Sequence, residues 1–218
     1  MKHIDWGLID YKLAWEQQEA IFAEAVGRKL NRQTAENLLI LCEHPHVYTL
    51  GKSGKEQNLL LDQPRLREKN AAFVQTNRGG DITYHGPGQI VGYPIFDLES
   101  FGIGLKQYIF NLEESIINFL GTYNIESARL NGAAGVWLDA ETKNARKICA
   151  IGVRSSHFVT MHGFALNVNT QLDYFNYINP CGFTDKGVTS MEKELGQKTD
   201  MENAKKRLRK EMEKVFEN

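Results

Sequence analysis

A bias of charge to one sign is missing from this 218-residue sequence: 26 Lys and Arg stand against 27 Asp and Glu, a net charge of −1 with His neutral. A nucleic-acid-binding surface needs a basic excess to displace counterions from phosphates, so none is expected. Long hydrophobic runs are missing too. Stretches such as 38–42 fall far short of the roughly 20 apolar residues that a bilayer span requires, and no membrane partner is expected. The first eleven residues carry Asp5, Trp6, Gly7 and Asp10 with no apolar core, so no signal peptide is expected. Cysteine is sparse. Cys42, Cys149 and Cys181 cannot all pair within one chain, which excludes a disulfide framework and suits a reducing compartment, so a cytoplasmic location is expected. Proline is scarce, at five residues, and no repeat or low-complexity linker interrupts the chain.

Glycine is plentiful by contrast, and its 19 residues cluster around 79–92, 102–104, 132–135 and 152–163. That pattern suits tight turns within one domain, and residues 1–218 are read as a single catalytic domain. Ile21, Phe22, Ala25, Val26 and Leu30 recur at helical spacing over 13–30, and Ile109, Leu112, Ile116 and Leu120 do so over 106–120, with Gly121 as the stop. Short apolar runs at 36–42, 71–76 and 89–96 read as strands. Residues 133–138, 146–153 and 161–168 read as an antiparallel meander with a polar turn at 139–145. Two helices close the chain, the last opened by a capping box from Thr199 to Glu202 and carrying the stripe Met201, Ala204, Leu208, Met212, Val215. The fold class is α/β (α+β) with a mixed sheet.

Chemistry concentrates in four segments. The densest is Arg78-Gly79-Gly80-Asp81-Ile82-Thr83-Tyr84-His85-Gly86-Pro87-Gly88-Gln89. Five Gly and Pro in twelve residues predict no regular element, and the polar groups among them favour a binding loop over a plain hairpin. It matches neither a P-loop nor a dinucleotide fingerprint. In Lys147-Ile148-Cys149-Ala150-Ile151-Gly152-Val153-Arg154, alternation sends Lys147, Cys149 and Ile151 to one face and Ile148, Ala150 and Gly152 to the other. Lys147 is either a solvated edge residue or, half-buried among apolar neighbours, a proton-transfer group. In His162-Gly163-Phe164-Ala165-Leu166-Asn167, His162 reads as a satisfied structural group, or Gly163 lets a ligand approach the backbone. In Asn179-Pro180-Cys181-Gly182 the cysteine sits in a turn, where an exposed nucleophile belongs, whereas Cys42 and Cys149 read as core residues. Cys42-x-His44-x-His46 would share a side in extended chain, but it lacks a fourth ligand and the usual spacing, and no metal is expected.

Taken in order, RGGDITYHGPGQ at 78–89, KICAIGVR at 147–154, HGFALN at 162–167 and PCG at 180–182 resemble the lipoyl(octanoyl) transferase family, as does EHPHVYTLG at 43–51. The resemblance runs from about residue 38 to 191 and implies the biotin/lipoate protein ligase fold, a mixed sheet with a smaller second sheet and outer helices. It implies that Cys181 is the nucleophile and Lys147 its activator. Acyl-binding residues would fall on Arg78, Gly79, Gly80, Asp81, Ile82, Thr83, Tyr84 and His85, then Ala150, Ile151 and Gly152, then Gly163, Phe164 and Ala165; Asp81 is given no role of its own. Two residues depart from the family pattern, Cys149 and Phe164, and Phe164 is expected to narrow the acyl channel. The implied donor is octanoyl-acyl carrier protein. The implied acceptors are apo lipoyl domains of 2-oxoacid dehydrogenase E2 subunits and of glycine cleavage H protein. No cofactor is implied, because a thioester is already activated. Oxyanion donors would be backbone amides near Gly152 or Gly163, and Arg146 or Arg154 would serve an acidic carrier. Competing readings are an ATP-dependent lipoate or biotin ligase, a non-catalytic acyl- or carrier-binding module and, more weakly, a Cys/His hydrolase using His85 or His162.

Overall fold

Successive residues of the same strands serve two different layers, and the fold follows from that. A computed structural model describes residues 1–179 and 186–217. The N-terminal half runs β1 (Lys2–Leu8), α1 (Tyr11–Leu30), β2 (Leu38–Glu43), β3 (Val47–Leu50), α2 (Gln63–Glu68), β4 (Ala72–Gln75), β5 (Ile82–His85), β6 (Gln89–Ile95) and α3 (Leu105–Gly121). It continues with β7 (Ala128–Leu130), β8 (Ala133–Leu138), β9 (Arg146–Ser156), β10 (Val159–Asn167), β11 (Gly187–Val188), α4 (Met191–Leu195) and α5 (Met201–Phe216). Among the described residues the strands form an eight-stranded sheet in the order β1-β2-β6-β10-β9-β8-β7, with β11 beside β9, and a three-stranded sheet β4-β3-β5. The large sheet is mixed: β1 and β11 pair in parallel, and the other ladders are antiparallel.

On one face of the large sheet Leu39, Leu41, Ile90 and Leu166 pack against Leu112, Ile116 and Phe119 of α3 and Leu208 and Met212 of α5. On the other face Ile40, Cys42, Val91 and Ala165 meet Ala14, Phe22 and Ala25 of α1. Period two in the strands and 3.6 in the helices account for both layers. The small sheet has its own core, Tyr48, Leu50, Ile82 and Tyr84 against Leu61, Leu66 and Ile178.

The expected meander is present, with β8, β9 and β10 joined in antiparallel order. Several expectations shift. The Asp10 carboxylate accepts from the Lys12 and Leu13 amides at 2.9 and 3.2 Å and starts α1 at Tyr11. The buried stripe of α1 is Tyr11, Ala14, Gln18, Phe22 and Ala25, so Leu30 stays exposed. Gly121 is the last residue of α3, and the chain turns only at Asn124, with φ 57°. The cap of α5 is Asp200, which accepts from the Asn203 amide at 2.9 Å. Thr199 does not form the expected capping box, because its amide donates to the Asn169 side chain at 2.9 Å. The glycine-rich 78–89 segment does hold a regular element: β5 pairs antiparallel with β3, and its Ile82 and Tyr84 fill the small core.

Candidate active site

A cavity of about 440 Å³ lies between the two sheets. Its floor is the α1-side face of the large sheet, where Ala150 and Ala165 stand directly opposite one another on β9 and β10. Val91 and Tyr93 of β6 extend the floor, and Tyr11 closes it from α1. The Arg78–His85 segment forms the opposite wall. Trp137, Lys147 and residues 186–188 line one end, and Phe175 and Ile178 complete it.

The wall is held by Arg78. This buried guanidinium donates to Thr49 O and Asp81 O at 2.6 Å each, to Gly79 O at 3.0 Å, and to Thr49 Oγ1 at 3.0 and 3.3 Å. These bonds tie the loop to Thr49 and give it its shape. Gly79 donates to Val153 O at 2.9 Å and docks the loop on β9. A Cβ at Gly152 would come within 2.7 Å of Gly79 O, so the close approach that Gly152 permits is to this loop. Gly163 behaves likewise, since a Cβ there would run into Gly92 O of β6. The close approach that Gly163 permits is to the neighbouring strand, and its backbone also lines the cavity.

A chain of buried hydrogen bonds crosses the site. Thr49 Oγ1 takes protons from Arg78 and gives its own to His85 Nε2 at 3.2 Å; His85 Nδ1 donates to Gln89 Oε1 at 2.8 Å. Gln89 Nε2 donates to Asn167 Oδ1 at 2.9 Å, and Asn167 Nδ2 to Thr189 O at 3.0 Å. The Thr189 amide in turn donates to Lys147 O at 2.9 Å. These proton positions follow from Gln89 using its amide nitrogen as donor to Tyr84 O and Asn167. Burial, with Arg78 and His44 close by, drives the His85 pKa well below its ordinary value. With low basicity and both ring nitrogens already bonded, His85 is a poor hydrolase base.

Lys147 occupies the cavity face for a reason that alternation does not give. The β8–β9 register slips between Val136↔Cys149 and Trp137↔Lys147, leaving Ile148 as an extra residue. Ile148 and Cys149 therefore both enter the α3-side core, while Lys147 joins Ala150 and Gly152 at the cavity. The expected partition, with Lys147 opposite Ala150 and Gly152, is corrected by that bulge. Gly135 makes room for it: its φ is 121°, and a Cβ there would collide with Cys149 O and lie 3.6 Å from Lys147 Cε. The Gly135 amide donates to Glu113 Oε1 of α3 at 3.0 Å, and Arg129 pairs with the other oxygen at 3.1 Å. Lys147 Nζ lies 4.6 Å from the centre of the Trp137 ring.

The other candidates divide. Arg78, Gly80, Asp81, Ile82, Thr83, His85, Ala150, Ile151, Gly152, Gly163, Phe164 and Ala165 line the cavity with Lys147. Tyr84 does not: it is fully buried in the small core, bonded to His46 Nδ1 at 2.7 Å and stacked on Tyr174. The Phe164 ring turns into the α3-side core over Gly92, so the expected narrowing of the channel does not follow. His162, with φ 56°, meets Asn77 Oδ1 at 2.6 Å through Nε2, and burial lowers its pKa to about 3. His44 and His46 part ways rather than sharing a side, the first bonding Ile9 O and Tyr93 and the second joining the tyrosine stack. Cys42 and Cys149 are buried, and burial pushes both thiols up, away from reactivity. Arg146 pairs with Glu194 and Asp139, and Arg154 with Glu19. Cys181 lies outside the described residues. The sequence reading missed Tyr11, Thr49, Tyr93 and Trp137; each is an ordinary core residue by local pattern, and only the fold places them here.

Among the described residues no helix is long and apolar enough to cross a membrane. Residues 10–213 match the Lipoyl protein ligase A/B catalytic domain family. A protein named octanoyltransferase from Bacteroides fragilis is 57% identical over 208 residues, covering 95% of this chain and 94% of the relative. Another of that name, from Parabacteroides distasonis, is 57% identical over 216 residues, covering 99% and 98%. Among solved structures, the bipartite lipoate protein ligase of Thermoplasma acidophilum shares the fold at a TM-score of 0.72 and 12% identity, over 99% of this chain and 83% of that one. The biotin protein ligase of Aquifex aeolicus, solved with biotin and ATP, does so at 0.59 and 12%, over 99% and 70%. The chain is thus an acyltransferase of the lipoyl protein ligase A/B catalytic-domain family, where it belongs with the octanoyltransferases.

Proposed function

We propose that the whole chain acts as one catalytic domain that moves an octanoyl group from octanoyl-acyl carrier protein to the lysine of an apo lipoyl domain, through a thioester on Cys181. The observation that carries this reading is Lys147, turned by a bulge onto the face of a mostly apolar cavity. Ile178 and Lys186, the lining residues that bracket Cys181 in sequence, share that end of the cavity.

The steps balance without a cofactor. The Lys147 ammonium favours the thiolate of Cys181. The thiolate attacks the donor's thioester carbonyl, a new carbon–sulfur bond forms, and the carrier's phosphopantetheine thiolate leaves and takes a proton from Lys147. The acceptor's lysine amine then attacks the octanoyl-Cys181 carbonyl, neutral Lys147 takes the amine proton, and the Cys181 thiolate leaves. This division of one hard step into two is covalent catalysis with ping-pong kinetics. Arg78, His85 and Gln89 hold the acyl wall and floor in register. The acceptors in this reading are lipoyl domains of 2-oxoacid dehydrogenase E2 subunits and of glycine cleavage H protein, and the sparse, unpaired cysteines support action in the cytoplasm.

The test is intact-protein mass spectrometry after mixing with octanoyl-acyl carrier protein and no ATP. One octanoyl adduct, released by neutral hydroxylamine and absent from Cys181→Ala, is expected. Octanoylation of a lipoyl domain that needs free acid and ATP, with no adduct on wild type, would move the chain to the ligase reading.

A further inference from the structure

We infer that Trp137 is a positioning residue for Lys147, its ring face holding the ammonium at the reactive end of the cavity. This rests on the reading of Lys147 given above and deepens it. Three independent features place the pair. First, Trp137 and Lys147 are direct cross-strand partners, and the bulge at Ile148 is what brings both side chains to one face. Second, Nζ stands 4.6 Å from the ring centre, within cation–π range. Third, the ring itself is fixed. Trp137 is 2% exposed, packs with Ala140 and Ala145, and donates from Nε1 to Ala133 O at 3.1 Å.

The chemical logic follows from what each element offers Lys147. Lys186 and Val188 stand on the β11 side, and Arg78, Asp81 and His85 across the cavity. Glu113 of α3 acts from behind Gly135, and Arg146 is the next residue on β9. The proposed reaction asks Lys147 to be an ammonium in one step and an amine in the next. A ring face favours the cation while offering no atom that accepts its proton, so the amine form stays within reach. The ring also fixes where Nζ sits, which a flexible four-carbon stem would not.

The test compares wild type, Trp137→Leu, Trp137→Phe and Lys147→Met by the single-turnover rate of octanoyl adduct formation from octanoyl-acyl carrier protein across pH, with thermal melts alongside. Trp137→Leu is expected to slow adduct formation about 5- to 30-fold, the range set by one cation–π contact. It is also expected to move the acidic limb of the rate profile to higher pH with the donor's KM little changed. Trp137→Phe is expected to recover most of the rate, because it keeps a π face. If Lys147→Met alters the profile and Trp137→Leu does not, the inference falls and the lysine reading stands. If Lys147→Met leaves the profile unchanged, the lysine reading falls first. A Trp137→Phe no better than Trp137→Leu, with both melting as wild type does, also overturns the inference, since packing without a π face would then explain the residue.

Discussion

The two faces of the large sheet are written into the same strands, and they have been put to opposite uses. Toward α3 and α5, Leu39, Leu41, Ile90 and Leu166 meet aliphatic and aromatic side chains and little else. Toward α1 and the small sheet, the intervening positions are Gln89, Val91, Tyr93, Ala165 and Asn167, and they face a cavity walled by Arg78 and His85. One face spends its burial on stability. The other gathers small residues, neutral histidines and a hydrogen-bond chain around space left unfilled. Substitutions on the first face should therefore change how much protein is folded, and on the second what the folded protein does.

The sharpest break in that contrast is Lys147→Met. If Lys147 moves protons in both steps as proposed, its loss should lower adduct formation and transfer by about 10²- to 10⁴-fold. The melting temperature should stay close to wild type, as mass spectrometry and a thermal scan on the same sample would show. On the opposite face, Ile116→Ala removes a fully buried side chain of α3. It should cost about 2–5 kcal/mol by urea denaturation, with transfer per folded molecule unchanged. A loss of specific activity there would mean that the two faces are not separable.

Acid should distinguish the faces next. His44, His85 and His162 stay neutral when folded, with pKa values lowered to about 4 for His44, well below the ordinary value for His85, and to about 3 for His162, burial being the largest cause in each. In the unfolded chain each titrates near its ordinary value of about 6.5. The unfolded state therefore binds more protons below that pH. Stability is fully present above about 6.5, falls as pH drops toward 4, and continues falling toward 3 on account of His162. Denaturation midpoints from pH 7.5 to 4 should report an uptake of up to about three protons on unfolding. His162→Leu should flatten that dependence, whereas Ile116→Ala should only offset it. The smallest effect is expected from Ala165→Val on the floor. Added methyls opposite Ala150 should shift preference from octanoyl toward hexanoyl donors by roughly tenfold in relative kcat/KM, measured by competition.

How much of this could be read from the amino acids depends on whether a residue's role was local. The apolar strands, the long helices and the meander announce themselves by period, and the chemistry-dense segments by composition. β5 does not, because Ile-Thr-Tyr-His alternates over only four residues between glycines and becomes a strand when β3 is beside it. The side on which Lys147 falls was misread because a bulge breaks the alternation, and the bulge depends on Gly135 and on Glu113 from a distant helix. Tyr84 shares the segment of the acyl-site residues but turns into the small core, whereas Phe164 lines the cavity while its ring packs toward α3. Thr49 and Trp137 carried no signal, since their partners lie across the fold. The Pro-Cys-Gly setting singles out Cys181 in the sequence, and that residue lies outside the described residues.

The seam between β6 and β10 has a consequence for how the molecule comes into being. Gln89 and Asn167 are neighbours across it although 78 positions separate them, whereas β8, β9 and β10 meet through short hairpins. Closing the long loop costs entropy before its contacts return any, so the hairpins should consolidate first and the seam later. The cavity floor straddles that seam, with Val91 and Tyr93 on one side and Ala165 on the other. Catalytic competence should then arrive in the last kinetic phase of refolding, after most secondary structure has formed. Pulse-labelled hydrogen exchange should show amides of β10 that bond to β9 protected before those that bond to β6, and simultaneous protection of both sets would show instead that the whole sheet condenses at once.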